Sequence, residues 1–159
     1  MAKKIEKTNV MRVLEQNKIS YTSHTYDPEG GISGMEVATA TGEDPNKVFK
    51  TLVTVAPSKK NYVFVVPVSS ELNLKKAAKA AGEKSIEMIK SKELLPLTGY
   101  IHGGCSPIGM KKQFTTFIHE TANDFDTIIF SGGKIGFQVE MSPQDLFKLI
   151  PITSVDIIN

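Results

Sequence analysis

Residues 48–55 read VFKTLVTV, and residues 62–68 read YVFVVPV after a short polar loop. Both stretches are rich in the β-branched and aromatic residues that favour strands, and Asp44-Pro45 supplies a turn before the first. Residues 57–61 are polar and few enough to close a hairpin. The two stretches therefore predict a pair of neighbouring strands joined by a tight loop.

Lys50 interrupts the first of these strands. It shares one face of the strand with Val48 and Leu52, because side chains on a strand alternate with period two. An ammonium group on a largely apolar face is costly unless an anion or a polar cavity receives it. Two interpretations stay open: a lysine on an edge strand that reaches water, or a lysine directed into a substrate pocket.

The rest of the chain predicts helices and short strands, with no repeat and no linker that would divide it. Helices are predicted at residues 8–17, 33–42, 74–81 and 142–150, and further strands at residues 21–26, 85–88, 100–102, 115–119, 127–131, 136–141 and 153–158. Strands outnumber helices, and many are joined by turns too short for a crossover helix. We expect one α/β domain over residues 1–159, with a mixed, mostly antiparallel or barrel-like sheet and flanking helices.

The basic residues are almost all lysine: Arg12 is the one arginine among 19 basic residues, and the net charge is only +2. Lysine binds phosphate as a point charge, whereas arginine forks onto base edges. Contact with nucleic acid would therefore reach backbone or terminal phosphates rather than bases. Three clusters could form such a surface or could simply be solvated faces: residues 75–79, 90–92 and 111–112.

Several classes of protein are disfavoured by the sequence. No apolar run is long enough to span a bilayer, and the basic start, Met1 to Lys4, is followed by no apolar signal core, so we expect a cytoplasmic protein. The three histidines lack the spacing of metal ligands, and no G-x-S-x-G elbow is present. Cys105 excludes an internal disulfide because it is the one cysteine, and it is either a nucleophile or a tolerated small residue.

Two glycine-rich loops remain, at residues 103–109 (GGCSPIG) and 131–136 (SGGKIG). Glycines allow a backbone to approach a ligand closely and to turn its N–H groups outward, but they also serve tight hairpins. The second loop is superficially similar to a phosphate loop. A strand is predicted to follow it where a phosphate loop needs a helix, which argues against nucleotide hydrolysis.

Five segments in a fixed order resemble the YbaK/EbsC family: HTY at 24–26, VFKTL at 48–52, LKKAA at 74–78, residues 103–112, and SGGK at 131–134. Members of this family are free-standing aminoacyl-tRNA deacylases related to the editing insertion domain of bacterial prolyl-tRNA synthetases. The resemblance extends from about residue 8 to residue 157. It is strongest to the YbaK branch, the Cys-tRNA(Pro) deacylases, and it implies a small barrel-like sheet.

The resemblance carries roles onto matching residues. Lys50 matches the invariant strand lysine, and Gly103 and Pro107 match the G-x-x-x-P loop, which together form the expected catalytic set. The expected substrate-binding residues are Tyr26, Ser131, Gly132 and Gln138. Gln138 departs from the family, because an aspartate is expected there and an amide carries no charge.

The function implied by the resemblance is release of cysteine from mischarged Cys-tRNA(Pro), with the thiol of the substrate as the nucleophile. Expected partners are the tRNA acceptor end and prolyl-tRNA synthetase, with no cofactor, metal or membrane. Two alternatives stay open: a deacylase for Ala-tRNA(Pro) or another aminoacyl-tRNA that uses water, and a non-catalytic regulator that binds nucleotide or tRNA.

Overall fold

The computed structural model describes residues 7–159, and five α-helices and eight strands lie in that range. They follow one another as α1 Asn9–Gln16, β1 Thr22–Thr25, α2 Gly34–Thr41, β2 Phe49–Val55, β3 Asn61–Pro67, α3 Leu74–Ala81, β4 Glu87–Met88, α4 Ser91–Thr98, β5 Thr115–His119, β6 Ile128–Ser131, β7 Phe137–Met141, α5 Pro143–Leu149 and β8 Ile152–Val155. The basic N-terminal residues used in the argument about a signal segment lie outside the described residues.

Helix α1 begins at a side-chain cap. The hydroxyl of Thr8 accepts a hydrogen bond from the N–H of Met11 at 3.2 Å, which satisfies a donor that the helix itself cannot use. Val10 and Leu14 are fully buried in the same core cluster as Phe130 of β6. The apolar stripe therefore holds α1 against the core that supports the second glycine loop.

Helices α2 and α3 have the ends that their sequences predict. Ser33 and Glu36 form a complete capping box at the start of α2, and Asn73 caps α3. Both helices end at a glycine with positive φ, +73° at Gly42 and +71° at Gly82. The capping box fixes the first turn of α2, which borders the cavity described below.

The strands form two open sheets. One is antiparallel, in the order β1-β7-β6, and the other has the order β4-β2-β3-β5-β8. In the second sheet the predicted β2–β3 hairpin and the β2–β4 pair are antiparallel, whereas β3–β5 and β5–β8 are parallel. The mixed, mostly antiparallel α/β fold is therefore confirmed. Among the described residues the sheets do not close into a barrel, and a parallel bridge joins Val48 to Ile129.

The strand predicted at residues 100–102 is wrong. The N–H of Tyr100 donates to Thr98 Oγ1 at 3.0 Å, and the N–H of Gly104 donates to the Ile101 carbonyl at 3.0 Å. These local hydrogen bonds use groups that a strand would offer to a neighbour. The segment is a turn that leads from α4 into the first glycine loop.

Helix α4 was not predicted, and Pro96 lies inside it. Proline lacks an N–H and usually ends a helix. Here the last turn is closed by other donors: Thr98 Oγ1 donates to the Leu94 carbonyl at 2.8 Å, and the N–H of Gly99 donates to the Leu95 carbonyl at 2.9 Å. The helix therefore tolerates the proline.

The core has two main parts. One cluster fills the space between the sheets and includes Phe49, Ile118 and Phe130. The other lies under α3, where the rings of Phe64 and Phe117 stack with centroids 5.4 Å apart. In the described part of the chain, no helix has the length and apolar character needed to cross a membrane.

Candidate active site

A cavity of about 430 Å³ opens where β2 of one sheet faces β6 and β7 of the other. The first turn of α2 and the loops that follow β1, β3 and α4 complete its wall. Five of the seven predicted site residues lie on this wall, although they are far apart in sequence: Tyr26, Lys50, Gly103, Ser131 and Gln138. Pro107 and Gly132 do not line it.

Lys50 lies on β2 where that strand borders the cavity. It pairs with Val66 of β3 on one side, while β4 pairs with the far end of β2, at Thr54 and Val55. Its side chain is 28% exposed and lines the same cavity as the two glycine loops. This position favours the pocket interpretation over a lysine that extends into open water.

Glu71 is the acidic partner of Lys50. Its Oε1 lies 3.6 Å from the Lys50 Nζ, and its own side chain is 80% exposed. Solvent screens such a pair, so it contributes little to stability. A carboxylate held this loosely can give way to another anion that enters the cavity.

The first glycine loop approaches the cavity closely at Gly103. Its φ is +87°, and a Cβ there would lie 3.0 Å from Ile32 Cδ1 and 3.5 Å from Ile135 Cγ1. The N–H of Gly104 is used inside the loop. Within residues 7–159, the N–H groups of Gly103, Cys105, Ser106 and Gly109 donate to no other group, and of these four residues Gly103 and Cys105 line the cavity.

Pro107 shapes this loop from behind. It is buried between Ser106 and Ile108, which are themselves fully buried. The N–H of Ile108 donates to Ser106 Oγ at 3.3 Å, and the hydroxyl of Tyr100 donates to the Ile108 carbonyl. These hydrogen bonds fix the backbone of the loop that carries Gly103. Pro107 itself does not line the cavity, so direct contact between Pro107 and a ligand is not supported.

The second glycine loop is a hairpin between β6 and β7. Ser131 Oγ accepts from the N–H of Gly133 at 3.1 Å, and the N–H of Gly132 donates to the Phe137 carbonyl at 2.9 Å. A Cβ on Gly132 would lie 3.3 Å from the Phe137 backbone. Gly132 therefore permits the tight turn, and a strand follows the loop, as predicted.

Two polar oxygens associated with the cavity wall have no partner. Gln138 is 4% exposed and pairs through the backbone with His24 and Ser131, yet its Oε1 has no hydrogen-bond partner among the described residues. Thr51 Oγ1 on β2 is buried without a partner in the same way. Buried polar groups are rarely left unpaired, so both oxygens need an explanation.

Cys105 lines the cavity but is unsuited to nucleophilic attack. It is 9% exposed, and burial raises the pKa of its thiol to about 12. The thiol is therefore protonated at neutral pH, whereas the thiolate is the nucleophilic form. The interpretation of Cys105 as a tolerated small residue is favoured.

A charged cluster around Glu140 of β7 stabilises the strands beside the cavity. Glu140 contacts His24 Nε2 at 2.7 Å and Lys47 Nζ at 2.8 Å, and it accepts a hydrogen bond from Thr127. Burial works to raise the pKa of Glu140, but hydrogen bonds from these three groups outweigh burial and lower it to about 2. Glu140 lies two residues after Gln138 on β7, so the cluster fixes the strand that carries Gln138. In residues 7–159, no group of three or more His, Cys, Asp or Glu could hold a metal ion.

The sequence did not indicate three parts of this wall. Thr51 was not singled out, yet it lines the cavity together with its neighbour Lys50 on β2. Leu94 reaches the wall from the unpredicted helix α4. Glu71 meets Lys50 through tertiary structure, and no local pattern marks it.

Comparison with known proteins gives one family. The family model described as "Aminoacyl-tRNA editing domain" matches residues 32–149. A protein of Enterococcus faecalis, named as a candidate Cys-tRNA(Pro)/Cys-tRNA(Cys) deacylase, EbsC, is 47% identical over 152 residues. That match covers 94% of this chain and 93% of the relative. The resemblance to the YbaK/EbsC family is confirmed.

Solved structures share the fold. A candidate trans-editing enzyme for prolyl tRNA synthetase has a TM-score of 0.81 at 21% identity, with 97% of this chain and 99% of that chain covered. A hypothetical protein has a TM-score of 0.85 at 19% identity, with 94% and 99% covered. At these identities the comparison supports the fold alone.

Proposed function

Because the chain belongs to the aminoacyl-tRNA editing domain family, we propose that it releases cysteine from mischarged Cys-tRNA(Pro). Deacylation of aminoacyl-tRNA is the activity of the enzyme, and cysteine is the finer assignment. The observation that carries it is one cavity lined by Lys50, Gly103 and Ser131 in which Cys105, the one thiol of the protein, is buried and protonated.

The substrate brings its own nucleophile. A free cysteine thiol has a pKa of about 8.5, so a few per cent is thiolate near neutral pH. The sulfur attacks the carbonyl of its own ester, a C–S bond forms, and the C–O bond to the terminal ribose breaks. The ribose oxygen takes a proton, and water then opens the small thiolactone to give free cysteine.

The protein has to hold the ester folded and stabilise the oxyanion. Holding reacting groups in place can be worth effective molarities of roughly 10⁵ M or more. We assign donation to the developing oxyanion to the N–H groups of Gly103 and Cys105, because both residues line the cavity and neither N–H has an acceptor among the described residues. Pro107 acts indirectly by fixing the loop.

Substrate contacts are assigned from position on the wall. Lys50 anchors a phosphate of the terminal nucleotide and displaces the exposed Glu71 as it does so. Tyr26, which follows β1, and Ser131, at the end of β6, contact the ribose or the amino acid. Gly132 supports Ser131 through the hairpin rather than by contact.

The tRNA surface extends along α4. Lys90 and Lys92 lie at its start, and the side chain of Lys111 packs within 3.3 Å of where a Cβ on Gly99 would lie, just after its end. These two clusters flank a helix that forms part of the cavity wall, whereas Lys76 of the third cluster is already ion-paired at 2.8 Å. Phosphate contacts of this kind carry little sequence information. We therefore assign the choice of tRNA to prolyl-tRNA synthetase as a partner in the cytoplasm.

The experiment is a deacylation assay on Cys-tRNA(Pro), Ala-tRNA(Pro) and Pro-tRNA(Pro), with and without prolyl-tRNA synthetase. We expect release of cysteine only, because pocket size alone separates similar side chains by about 10- to 200-fold whereas alanine and proline lack the thiol. Equal release of alanine would favour the water mechanism instead. Saturable binding of nucleotide or tRNA without any release would favour the regulator.

A further inference from the structure

A second groove, of about 510 Å³, lies between the tip of the β2–β3 hairpin and helix α4. Lys59 of the hairpin loop and Lys92 of α4 line this groove, together with Glu93. Both lysines are exposed, and neither ammonium group forms a salt bridge or hydrogen bond with a residue in the range 7–159. The groove therefore presents two cations that the fold itself leaves unpaired.

Lys59 has a backbone conformation that disfavours lysine. Its φ is +72°, and its N–H donates to the Ala56 carbonyl at 2.9 Å to close the hairpin. The left-handed conformation is costly for a residue with a Cβ, and hairpin loops usually place glycine or asparagine there. The Ser58 hydroxyl donates to Glu83 Oε2 at 2.8 Å, which holds the hairpin tip in place. Strain of this kind is concentrated at ligand sites, so Lys59 is a candidate ligand contact.

Lys92 is also in a position that the fold alone does not favour. It lies in the first turn of α4, and Lys90 at the N-cap makes no side-chain hydrogen bond to the helix. The partial positive charge at a helix N-terminus disfavours cations, and N-caps are usually serine, threonine, aspartate or asparagine. Two separate elements thus bring lysines to one groove at a cost to stability, which indicates an anion that binds there.

Strand β2 connects this groove to the cavity. Lys50 lines the cavity and Val55, at the end of the same strand, lines the groove. A strand rises about 3.4 Å per residue, so the two positions are about 17 Å apart along β2. Helix α4 also borders both, through Leu94 in the cavity and Leu97 in the groove. A nucleic acid strand whose last nucleotide enters the cavity can therefore reach the groove with the nucleotides that precede it.

Resting on the proposed function, we propose that the groove binds the sugar–phosphate backbone of the tRNA acceptor end, a few nucleotides before the ester. Lys59 and Lys92 each contact a phosphate. A polyanionic strand matches two exposed ammonium groups from separate elements, since each phosphate carries its own charge. The contact recognises charge rather than sequence, so it adds affinity for any aminoacyl-tRNA and leaves the choice of amino acid to the cavity.

The test compares Cys-tRNA(Pro) with 3′-O-cysteinyl adenosine 5′-monophosphate. The short ester keeps the cysteine, the terminal nucleotide and its phosphate, but it has no preceding strand. The quantity measured is kcat/KM for the tRNA divided by kcat/KM for the short ester, without prolyl-tRNA synthetase. A change inside the cavity alters both rate constants and cancels in this ratio, whereas a change in the groove alters the ratio.

Lys59→Gly removes the ammonium group and relieves the left-handed backbone. We expect its Tm to equal or exceed that of the wild type, because glycine adopts positive φ without strain. The ratio should fall roughly three- to tenfold, and the slope of log kcat/KM for the tRNA against log salt should fall in magnitude by about 1. Lys92→Gln should change the ratio and the slope in the same direction.

Lys18→Gly is the matched control. Lys18 also has positive φ, +56°, and it lines neither the cavity nor the groove. This variant should relieve the same kind of strain and leave the ratio and the salt slope unchanged. Stabilisation with a loss of tRNA preference, seen in Lys59→Gly but not in Lys18→Gly, is a result that a purely structural role for Lys59 does not produce.

The remaining outcomes separate this proposal from the proposed function. An unchanged ratio and salt slope in both Lys59→Gly and Lys92→Gln would overturn the groove and leave the deacylase assignment standing. Slowing of both substrates by the same factor would also overturn it, as would a loss seen only when prolyl-tRNA synthetase is present, which would assign the groove to a protein partner. A folded wild-type protein that cleaves neither ester would overturn both proposals.

Discussion

Replacing Lys50 with methionine removes the ammonium group from the cavity wall while keeping an unbranched side chain of similar length. The interaction at stake is between this ammonium and a phosphate of the terminal nucleotide. Two unit charges 4 Å apart interact by about 1 kcal/mol in bulk water and about 4 kcal/mol at an effective dielectric constant of 20. A side chain that is 28% exposed lies between these limits.

The contact with Glu71 lowers the expected effect. Glu71 Oε1 lies 3.6 Å from Lys50 Nζ, and the Glu71 side chain is 80% exposed. Exposed ion pairs of this kind contribute about 0–1 kcal/mol. Phosphate binding must replace this pair, so the net loss in Lys50→Met is about 1–3 kcal/mol, or roughly 5- to 150-fold in kcat/KM. The free energy of unfolding should change by less than about 1 kcal/mol, because the pair that is lost is exposed.

The assay measures kcat/KM for Cys-tRNA(Pro) at 50 and 200 mM salt for the wild type and for Lys50→Met. If Lys50 neutralises a phosphate, the variant should lose part of the salt dependence as well as the rate. Glu71→Gln is the control, since it removes the competing carboxylate and should leave the rate equal or a few-fold higher. A folded Lys50→Met protein with full activity and an unchanged salt dependence of kcat/KM would refute the proposal that Lys50 binds a phosphate.

Three further predictions concern Cys105, Glu140 and His119. Cys105→Ala should keep deacylase activity within about threefold, because its buried thiol has a pKa of about 12; loss of turnover in a folded variant would indicate a protein nucleophile. Glu140→Gln should lower the free energy of unfolding by about 1–3 kcal/mol at pH 7. Because the folded pKa of Glu140 is depressed to about 2, this deficit should shrink in denaturant titrations as the pH falls from 4.5 towards 2, and a deficit constant across that range would count against the cluster. His119 is 4% exposed, and burial lowers its pKa against the opposing effect of Asp156. The free energy of unfolding of the wild type should therefore fall as the pH drops below 6.5, because the unfolded chain binds the proton more readily. In His119→Gln the part of this fall that comes from the histidine should be absent.

The sequence predicted best where one local signal decides the structure. Ser33 with Glu36, and Asn73 with Gly82, mark the ends of helices α2 and α3. The β2–β3 hairpin follows from strand residues on either side of a short polar loop. In each case the signal lies within a few residues of the feature that it sets, so tertiary structure has little to override.

Prediction failed where local signals conflict with packing. Helix α4 was not predicted and contains Pro96, yet it forms, with Thr98 and the Gly99 N–H closing its last turn. A strand was predicted at residues 100–102, but turn hydrogen bonds use the backbone there instead. The parallel pairing of β5 with β3 and β8 depends on contacts distant in sequence, which no local pattern encodes.

Some residues of the site were predictable from the sequence and others were not, and the difference has a physical reason. Lys50 stands out because a charge on an apolar strand face needs a polar environment, and the structure places it on the cavity wall. Glu71 and Thr51 do not stand out, since an exposed acid after a strand and a threonine within a strand are both ordinary. Their significance lies in one 3.6 Å contact and one unpartnered oxygen, which only tertiary structure reveals.

The central claim is that the substrate supplies the nucleophile. The most direct measurement compares ester cleavage of Cys-tRNA(Pro) with that of 2-aminobutyryl-tRNA(Pro), in which a methyl group replaces the thiol at nearly the same size. We expect cleavage of the cysteinyl ester to be more than about 100-fold faster, because an intramolecular nucleophile has a large effective molarity. Equal rates for the two esters would mean that water or a protein group attacks the carbonyl, and the account would be wrong.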